Sequence, residues 1–273
     1  MRRIGYGAMQ LAGPGVFGPP RDRATAIAVL RAAIDAGVNH IDTSDYYGPY
    51  VVNELIREAL HPYPSDLVLV TKVGARRSED GAWLPAFSRA ALTQAIHDNL
   101  KRLSLDTITV NLRGMFSPHG PAEGSMDEAV ETLAELQQQG LVRDIGLSNI
   151  TPKQLADGRR ICTIACVQNH YNLVHRTDDA MIDALATDGI PYVPFFPLGG
   201  FSPIQSDVLG KVATELGATP LQVALAWLLR RSANILLIPG TSSLGHLHEN
   251  LAVADLELTD AAMTALDTIE AQT

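Results

Sequence analysis

The sequence has few cysteines and no long apolar run. Its two cysteines, Cys162 and Cys166, are too few for the disulfide framework of a small secreted protein. No apolar stretch approaches the roughly 18 residues of a membrane-spanning helix. The start, MRRIGYGAMQ, is basic but lacks the apolar segment of a signal peptide. We therefore expect a protein of the cytoplasm that does not enter a membrane.

Positive charge is also scarce. The 21 lysines and arginines are outnumbered by 30 aspartates and glutamates, which gives a net charge of −9. No basic run is long enough to follow a phosphate backbone, so we expect no nucleic-acid partner. His246 and His248 would face apart on a helix, so we also expect no metal site there.

What the chain does contain is an alternation of short apolar runs and helical patterns. The runs of strand length are residues 4–9, 40–42, 67–72, 107–113, 144–148, 165–169, 191–195 and 235–239. The helical patterns are residues 22–37, 51–60, 88–103, 125–140, 151–161, 177–189 and 219–231. Such alternation gives parallel strands with right-handed crossovers. Eight strands in this length predict a single (β/α)8, or TIM, barrel over residues 1–273.

The alternative is an open, doubly wound sheet. That fold carries the pattern G-x-G-x-x-G after its first strand. The stretch GYGAMQ supplies Gly5 and Gly7 but no third glycine, so the barrel is the preferred interpretation.

In a barrel of this kind the active site lies at the carboxyl ends of the strands. The polar residues at those ends are Asp42, Lys72, Arg113, Ser148, Asn149, Gln168 and Thr241 to Ser243. Tyr47 lies in the loop directly after Asp42. The rule therefore brings an acid, a phenol and an amine to one mouth of the barrel.

Asp42, Tyr47 and Lys72 form a chemical unit. A tyrosine with a pKa of about 10 is a weak acid near neutrality, and a nearby ammonium group lowers that pKa. An aspartate would keep the lysine charged and oriented. Each residue alone has an ordinary explanation as a turn residue, a packed ring or a strand-end cation, but together they favour a general acid. Because no side chain supplies a hydride, a carbonyl reduction would need a nicotinamide cofactor.

The stretch HIDTSDYYG resembles the D-T-A-x-x-Y-G signature of the aldo-keto reductase superfamily. The likeness continues, in order and at similar spacing, through VLVTKVG, DIGLSN, VQNHYN, FFPLGG and IPGTSSLGHLHEN. The resemblance covers essentially the whole chain. It implies that Tyr47 is the general acid and that Lys72 and Asp42 tune it. Tyr46 and Asp45 fall at variable positions and receive no chemical role.

The resemblance also implies a cofactor site. The positions it assigns are Gly7, Ser148, Asn149, Gln168, Phe195, Pro197, Leu198, Gly199, Gly240, Thr241, Ser242, Ser243, His246, Glu249 and Asn250. Of these, Phe195 would stack on the nicotinamide ring, and the segment from Thr241 to His246 would hold the adenosine 2′-phosphate. NADPH is therefore the expected cofactor. NADH is the alternative, because Gly240 and His246 stand where other members have lysine and arginine.

One departure concerns the substrate. Members of the family usually end strand 4 with a histidine, whereas TITVNLRGMF has none. Strand alternation places Asn111 and Arg113 on one face, which we expect to be the barrel interior. Arg113 is expected beside the substrate carbonyl, with a structural salt bridge to Glu123 as the alternative. His119, in the following loop, is a rival for the missing imidazole.

Tentative substrate contacts are Met9, Tyr47, Asn111, Arg113 and His119. The stretches NLR, PAEGSMDEA and PFFPLGGF most resemble a bacterial subgroup that includes pyridoxal reductases. We therefore expect a small carbonyl substrate, such as pyridoxal or another aromatic aldehyde, that is reduced to an alcohol. The alternative function is a catalytically weak NADP(H)-binding barrel that acts as a sensor or partner subunit. The sequence does not fix the oligomeric state, although a monomer is favoured.

Overall fold

The computed structural model describes residues 2–114, 120–200 and 204–269. Its strands are β1 (Tyr6–Gly7), β2 (His40–Asp42), β3 (Val68–Val73), β4 (Ala75–Arg77), β5 (Trp83–Pro85), β6 (Ile108–Arg113), β7 (Val142–Ser148) and β8 (Ile164–Gln168). Six of them form a parallel sheet in the order β1-β2-β3-β6-β7-β8, whereas β4 and β5 form a separate antiparallel hairpin.

The sheet closes on itself through short contacts. Isolated parallel bridges join Val167 with Tyr192, Tyr192 with Ile235, Ile4 with Leu237, and Gly7 with Gly240. Residues 191–195 and 235–239 thus occupy the two remaining barrel positions and complete the predicted (β/α)8 fold. They form bridges rather than full strands, because Pro191, Pro194 and Pro239 have no N–H to donate to a ladder.

Ten α-helices are described. They are α1 (Arg23–Asp35), α2 (Val51–Leu60), α3 (Arg89–Leu103), α4 (Asp127–Gln138), α5 (Pro152–Ile161), α6 (Asp179–Thr187), α7 (Asp207–Leu216), α8 (Pro220–Arg231), α9 (Leu244–Leu251) and α10 (Asp260–Asp267). Short 3-10 helices span Ala8–Leu11, Pro14–Val16 and Ala252–Asp255. The seven helices predicted from the sequence are confirmed, whereas α7, α9, α10 and the β4–β5 hairpin were not predicted.

Local sequence explains where several helices begin. The side chains of Thr151 and Thr219 each accept a hydrogen bond from the backbone N–H three residues later, and the side-chain oxygen of the glutamine at that position accepts one from the threonine N–H. Each of these capping boxes is followed by a proline in the first turn, where its missing N–H carries no penalty. Ser88 caps α3 through the N–H of Ala91. These caps fix the ends of helices that cover the barrel.

No single helix in the described ranges is long and apolar enough to cross a membrane. Helices α7 and α8 meet that test only when they are taken together, and the pair is bent by 91°.

The barrel interior has both polar and apolar contents. Val193, Leu236 and Ile238 form a small apolar cluster with Cys166, apart from the main core between sheet and helices. The Cys166 thiol donates to Asn111 Oδ1 over 3.2 Å. The neighbouring strand leaves room for this pair, because it carries a glycine, Gly146, at the same level.

We expect Gly146→Ala to lower the melting temperature. An added Cβ would overlap Asn111 Oδ1 and lie 2.6 Å from Cys166 Sγ, so strands would have to move. Overpacking of this kind costs about 1–3 kcal/mol, and each kcal/mol lowers Tm by roughly 2–4 °C in a protein of this size. Scanning calorimetry measures the change.

The matched control is Gly210→Ala in α7. A Cβ at Gly210 meets no atom within 4 Å, and alanine stabilises a helix interior by roughly 0.5–1 kcal/mol relative to glycine. If Gly146→Ala is as stable as the wild type, the Asn111–Cys166 contact does not constrain the barrel.

Candidate active site

A cavity of about 230 Å³ opens at the carboxyl end of the barrel. It is lined by Gly7, Met9, Gln10, Asp42, Tyr47, Lys72, Arg113, Ser148, Gln168, Phe195, Phe196, Pro197, Leu198, Gly200, Ile238, Pro239 and Gly240. The structure thus brings the four predicted catalytic residues together. It adds Gln10, Phe196, Gly200, Ile238 and Pro239, which were not among the site residues predicted from the sequence.

A buried ion pair lies at the base of this cavity. The Lys72 ammonium donates to Asp42 Oδ1, and both side chains are less than one-tenth exposed. The second oxygen of the carboxylate, Oδ2, accepts a hydrogen bond from Gln168 Nε2 over 3.0 Å. Lys72 also reaches the backbone carbonyl of Thr43 at 3.5 Å. The lysine is therefore held in one position by two oxygen atoms.

Tyr47 is buried beside this pair. The Lys72 Nζ lies 5.5 Å from the centre of the Tyr47 ring. Burial raises the pKa of the Tyr47 phenol, the charge of Asp42 raises it further, and the charge of Arg113 lowers it. This differs from the expectation that Lys72 lowers the tyrosine pKa, because the positive charge of Lys72 is balanced by Asp42. Tyr47 consequently holds its proton at neutral pH.

The other tyrosine of the loop has a packing role. Tyr46 makes edge-to-face contacts with Tyr47 and Trp83, each with ring centres 5.4 Å apart. Its hydroxyl is buried and has no hydrogen-bond partner among the described residues. Burial raises the pKa of Tyr46 to about 12. Of the two tyrosines, only Tyr47 lines the cavity.

Arg113 lines the cavity from the end of β6. Its guanidinium carbon lies 5.5 Å from the centre of the Trp83 ring, and that of Arg77 lies 4.2 Å from the same ring. Trp83 belongs to the β4–β5 hairpin. The sequence did not reveal this hairpin, because its strands are only three residues long and are not regularly alternating.

The other predicted substrate residues are placed differently. Met9 lines this cavity. It also lines a second cavity, between the segment after β1 and the start of α1. Asn111 faces the interior as alternation predicts, but it lies outside the cavity lining and is bonded to Cys166. His119 lies outside the described residues.

Phe195 ends a column of three aromatic rings. The ring of His170 is stacked on Phe195 with centres 5.7 Å apart, and His175 is stacked on His170 at 4.0 Å. Burial lowers the pKa of His170 to about 4, so the ring is neutral near pH 7. The column therefore supports Phe195 from behind, while the phenylalanine lines the cavity.

The polar residues that line the cavity include one unsatisfied acceptor. Gln168 Oε1 is buried and has no partner within the described part of the chain, although its Nε2 is bound to Asp42. Ser148 lines the same wall. Asn149 does not line the cavity; it adopts a positive φ of 55° and donates its backbone N–H to Gln168 O over 2.9 Å.

The remaining predicted cofactor residues fall in two groups. Gly7, Pro197, Leu198 and Gly240 line the cavity. Gly199, Thr241, Ser242, Ser243, His246, Glu249 and Asn250 do not. Ser243 caps α9 by accepting from the His246 N–H at 3.5 Å, and His246 and Glu249 are exposed. Residues 241–246 therefore lie outside the cavity lining, at the amino end of α9, whereas Glu249 and Asn250 lie in its last turn.

The sequence matches the model of the aldo/keto reductase family over residues 3–203 and 204–271. It is 66% identical to pyridoxine 4-dehydrogenase of Escherichia coli (strain K12) over 271 residues, 98% of this chain and 95% of the relative. The chain belongs to the aldo/keto reductase family. The superfamily and the bacterial subgroup inferred from its motifs are thereby confirmed.

Solved structures agree with this assignment. The thermostable aldo-keto reductase Tm1743, in complex with epalrestat, is 28% identical with a TM-score of 0.82, covering 98% of this chain and 95% of that protein. An aldo-keto reductase from Klebsiella pneumoniae in complex with NADPH is 24% identical with a TM-score of 0.80, covering 100% of this chain and 93% of that protein. At this level of identity, the second likeness concerns the fold alone.

In this aldo/keto reductase, the loop that carries Tyr47 also contains a buried carboxyl group. Burial raises the pKa of Asp45 to about 7; Arg102 opposes the shift and Asp98 adds to it. Asp45 is only 7% exposed. Because the folded-state pKa is raised, this group favours folding least at high pH, where the carboxylate must be buried with its charge.

We expect Asp45→Asn to raise Tm at pH 8 more than at pH 5. At pH 5 the folded protein keeps Asp45 protonated, whereas at pH 8 it must bury the charge that asparagine removes. Calorimetry of both proteins from pH 5 to pH 8 measures the difference. The exposed Asp66 supplies the control, since Asp66→Asn removes a solvated carboxylate. A constant difference for Asp45→Asn across this range would mean that Asp45 does not titrate there.

Proposed function

We propose that this chain is an NADPH-dependent oxidoreductase of the cytoplasm that interconverts an aromatic aldehyde, such as pyridoxal, with its alcohol. The observation that carries the proposal is the cavity, where a buried phenol and the Arg113 cation lie beside the Lys72–Asp42 pair. The likeness to pyridoxine 4-dehydrogenase supports the choice of substrate. Cys162 and Cys166 are both free thiols, which agrees with a reducing compartment.

The cavity fits a nicotinamide cofactor. Gln168 Oε1 is a buried acceptor without a partner in the described ranges, and it suits the N–H of a carboxamide. Phe195 offers an aromatic face, supported by His170. Ser148 adds a hydroxyl group to the same wall. When bound, the nicotinamide would supply or accept the hydride.

The segment before α9 favours NADPH. Thr241, Ser242 and Ser243 carry hydroxyl groups, and the amino end of a helix attracts anions. A 2′-phosphate could bind there with His246 nearby. NADH remains the alternative, because the segment has no fixed cation. The relative rates with the two cofactors in one assay test this preference.

Tyr47 is the group that transfers the proton. During reduction, its O–H would donate to the carbonyl oxygen as the carbonyl carbon gains a hydride, so that the aldehyde becomes an alcohol. Arg113 would stabilise the negative charge that develops on that oxygen. Lys72 and Asp42 would form a neutral ion pair beside Tyr47. In the oxidative direction, the same tyrosine would accept the proton of the alcohol.

The alternative function is a cofactor-binding barrel with little turnover. Its support was the missing strand-4 histidine. Arg113 occupies the cavity at the end of that strand and supplies a positive charge where the histidine is missing. A cavity that only binds cofactor has no need of a buried phenol, so the enzymatic function is favoured.

We expect Tyr47→Phe to lower kcat for pyridoxal reduction by at least about 100-fold, because a general acid contributes roughly that factor. The affinity for NADPH should change little, since the ring remains. NADPH oxidation gives kcat, and quenching of protein fluorescence gives the Kd of NADPH.

The matched control is Tyr46→Phe. Its hydroxyl makes no hydrogen bond within the described ranges, so its removal should leave kcat within about twofold and should not lower stability. A severe loss in Tyr46→Phe, or near-normal turnover in Tyr47→Phe, would show that Tyr47 is not the acid.

We expect Arg113→Met to lower kcat for neutral and anionic aldehydes alike, by about tenfold or more, because stabilisation of the developing charge is lost. Benzaldehyde and 4-carboxybenzaldehyde provide a neutral and an anionic substrate. Arg113→Lys, which keeps the charge, should recover part of the rate. If Arg113→Met raises only the KM of the anionic aldehyde, Arg113 binds a substrate anion instead.

A further inference from the structure

Four buried polar side chains form a network behind the catalytic residues. Thr43 Oγ1 donates to Asn53 Oδ1 over 2.8 Å, and Asn53 Nδ2 donates to Asn99 Oδ1 over 2.8 Å. Thr71 Oγ1 donates to the same Asn99 oxygen over 2.6 Å. Asn99 Nδ2 completes the network by donating to Ala95 O over 2.8 Å. All four side chains belong to residues that are fully buried.

The network is adjacent in sequence to two residues of the cavity. Thr43 follows Asp42, and Thr71 precedes Lys72. Because successive side chains of an extended strand point to opposite faces, Asp42 and Lys72 face the barrel interior while the threonines face the helices. The backbone at this level is paired, since Thr43 N–H donates to Val70 O over 2.8 Å. The network thus connects the two strand ends that carry the ion pair, on the side that faces the helices.

The network also holds the loop that carries Tyr47. Asn53 lies in the first turn of α2, which begins directly after that loop. On the other side of the loop, Ser44 Oγ donates to Lys72 O over 3.2 Å and accepts from the Tyr46 N–H at 3.3 Å. The segment with the catalytic phenol is therefore tied to β3 near its start and to α3 near its end.

Stability alone does not require these polar groups. Apolar side chains of the same shape can replace a fully paired buried network at little or no cost, and often with a gain. A satisfied network does, however, specify one arrangement of the elements that it joins. Proton transfer needs that kind of order, since displacement by about 1 Å can cost about 100-fold in rate.

We infer that Thr43, Asn53, Thr71 and Asn99 are positioning residues for the catalytic group of this enzyme. They set the distance between the Tyr47 loop and the Lys72–Asp42 pair, and they act through the backbone without contacting the substrate. The inference rests on the proposed function. Its consequence is that kcat depends on the network, whereas NADPH affinity, which depends on Gln168 and Phe195 on other strands, does not.

Matched substitutions at the two threonines separate positioning from stability. Thr43→Val and Thr71→Val keep the shape but remove the hydroxyl, whereas Thr43→Ser and Thr71→Ser keep the hydroxyl but remove a methyl group. A structural role predicts that turnover follows Tm in both pairs, because the valine variants leave a buried acceptor without its donor and the serine variants lose buried apolar volume. A positioning role predicts that turnover falls in the valine variants but not in the serine variants.

We expect each valine variant to lower kcat for pyridoxal about fivefold, the equivalent of one net hydrogen bond, with Kd for NADPH unchanged within about twofold. Each serine variant should keep kcat within about twofold despite a lower Tm. If the valine variants keep full kcat, or if kcat follows Tm across all four variants, the inference is wrong.

Amide hydrogen exchange by mass spectrometry supplies a readout without substrate. The valine variants should exchange faster than the wild type in residues 43–50, the serine variants should not, and residues 164–168 should be unaffected in both. If the wild type reduces no aldehyde but this exchange pattern appears, the proposed function has failed and the network's ordering role stands. If exchange in residues 43–50 is unchanged in the valine variants, the network does not order the loop.

Discussion

The buried ion pair between Lys72 and Asp42 is the interaction on which the geometry of the cavity depends. Two charges in a barrel interior carry a large desolvation cost, which is offset only when their geometry and remaining hydrogen bonds are well satisfied. The structure meets this condition with Gln168 on the second oxygen of Asp42 and the carbonyl of Thr43 near Lys72. Thr43 also belongs to the polar network between strands and helices, so that network reaches the residue whose carbonyl lies near Lys72.

Gln168 connects two halves of the barrel that have different tasks. The groups proposed for proton transfer come from one side, through β2, β3 and β6. The groups proposed for cofactor binding come from β7, β8 and the segments that follow them. Gln168 donates to Asp42 with its amide nitrogen and leaves its oxygen facing no described protein group. One side chain therefore orients the ion pair and presents an acceptor to the cofactor, so changes to it would affect both tasks.

The sequence predicted most of the fold because its signals are local. Periodicity and caps locate the helices before and after each strand, as at Thr151 and Thr219. Alternation placed Asn111 and Arg113 on the interior face, but it could not tell which level of the barrel each side chain reaches. The hairpin with Trp83 escaped detection, because strands of three residues give too short a pattern. The direction of the Tyr47 pKa shift was mispredicted, because the sequence shows a lysine at a nearby strand end but not how deeply the phenol is buried.

Arg113 makes the catalytic proposal physically consistent. Burial and the charge of Asp42 raise the pKa of the Tyr47 phenol, and the charge of Arg113 opposes these effects without reversing them. As negative charge grows on a carbonyl oxygen, that oxygen becomes a stronger base than the phenolate. In the proposed mechanism, Tyr47 therefore keeps its proton until that charge develops and then donates it.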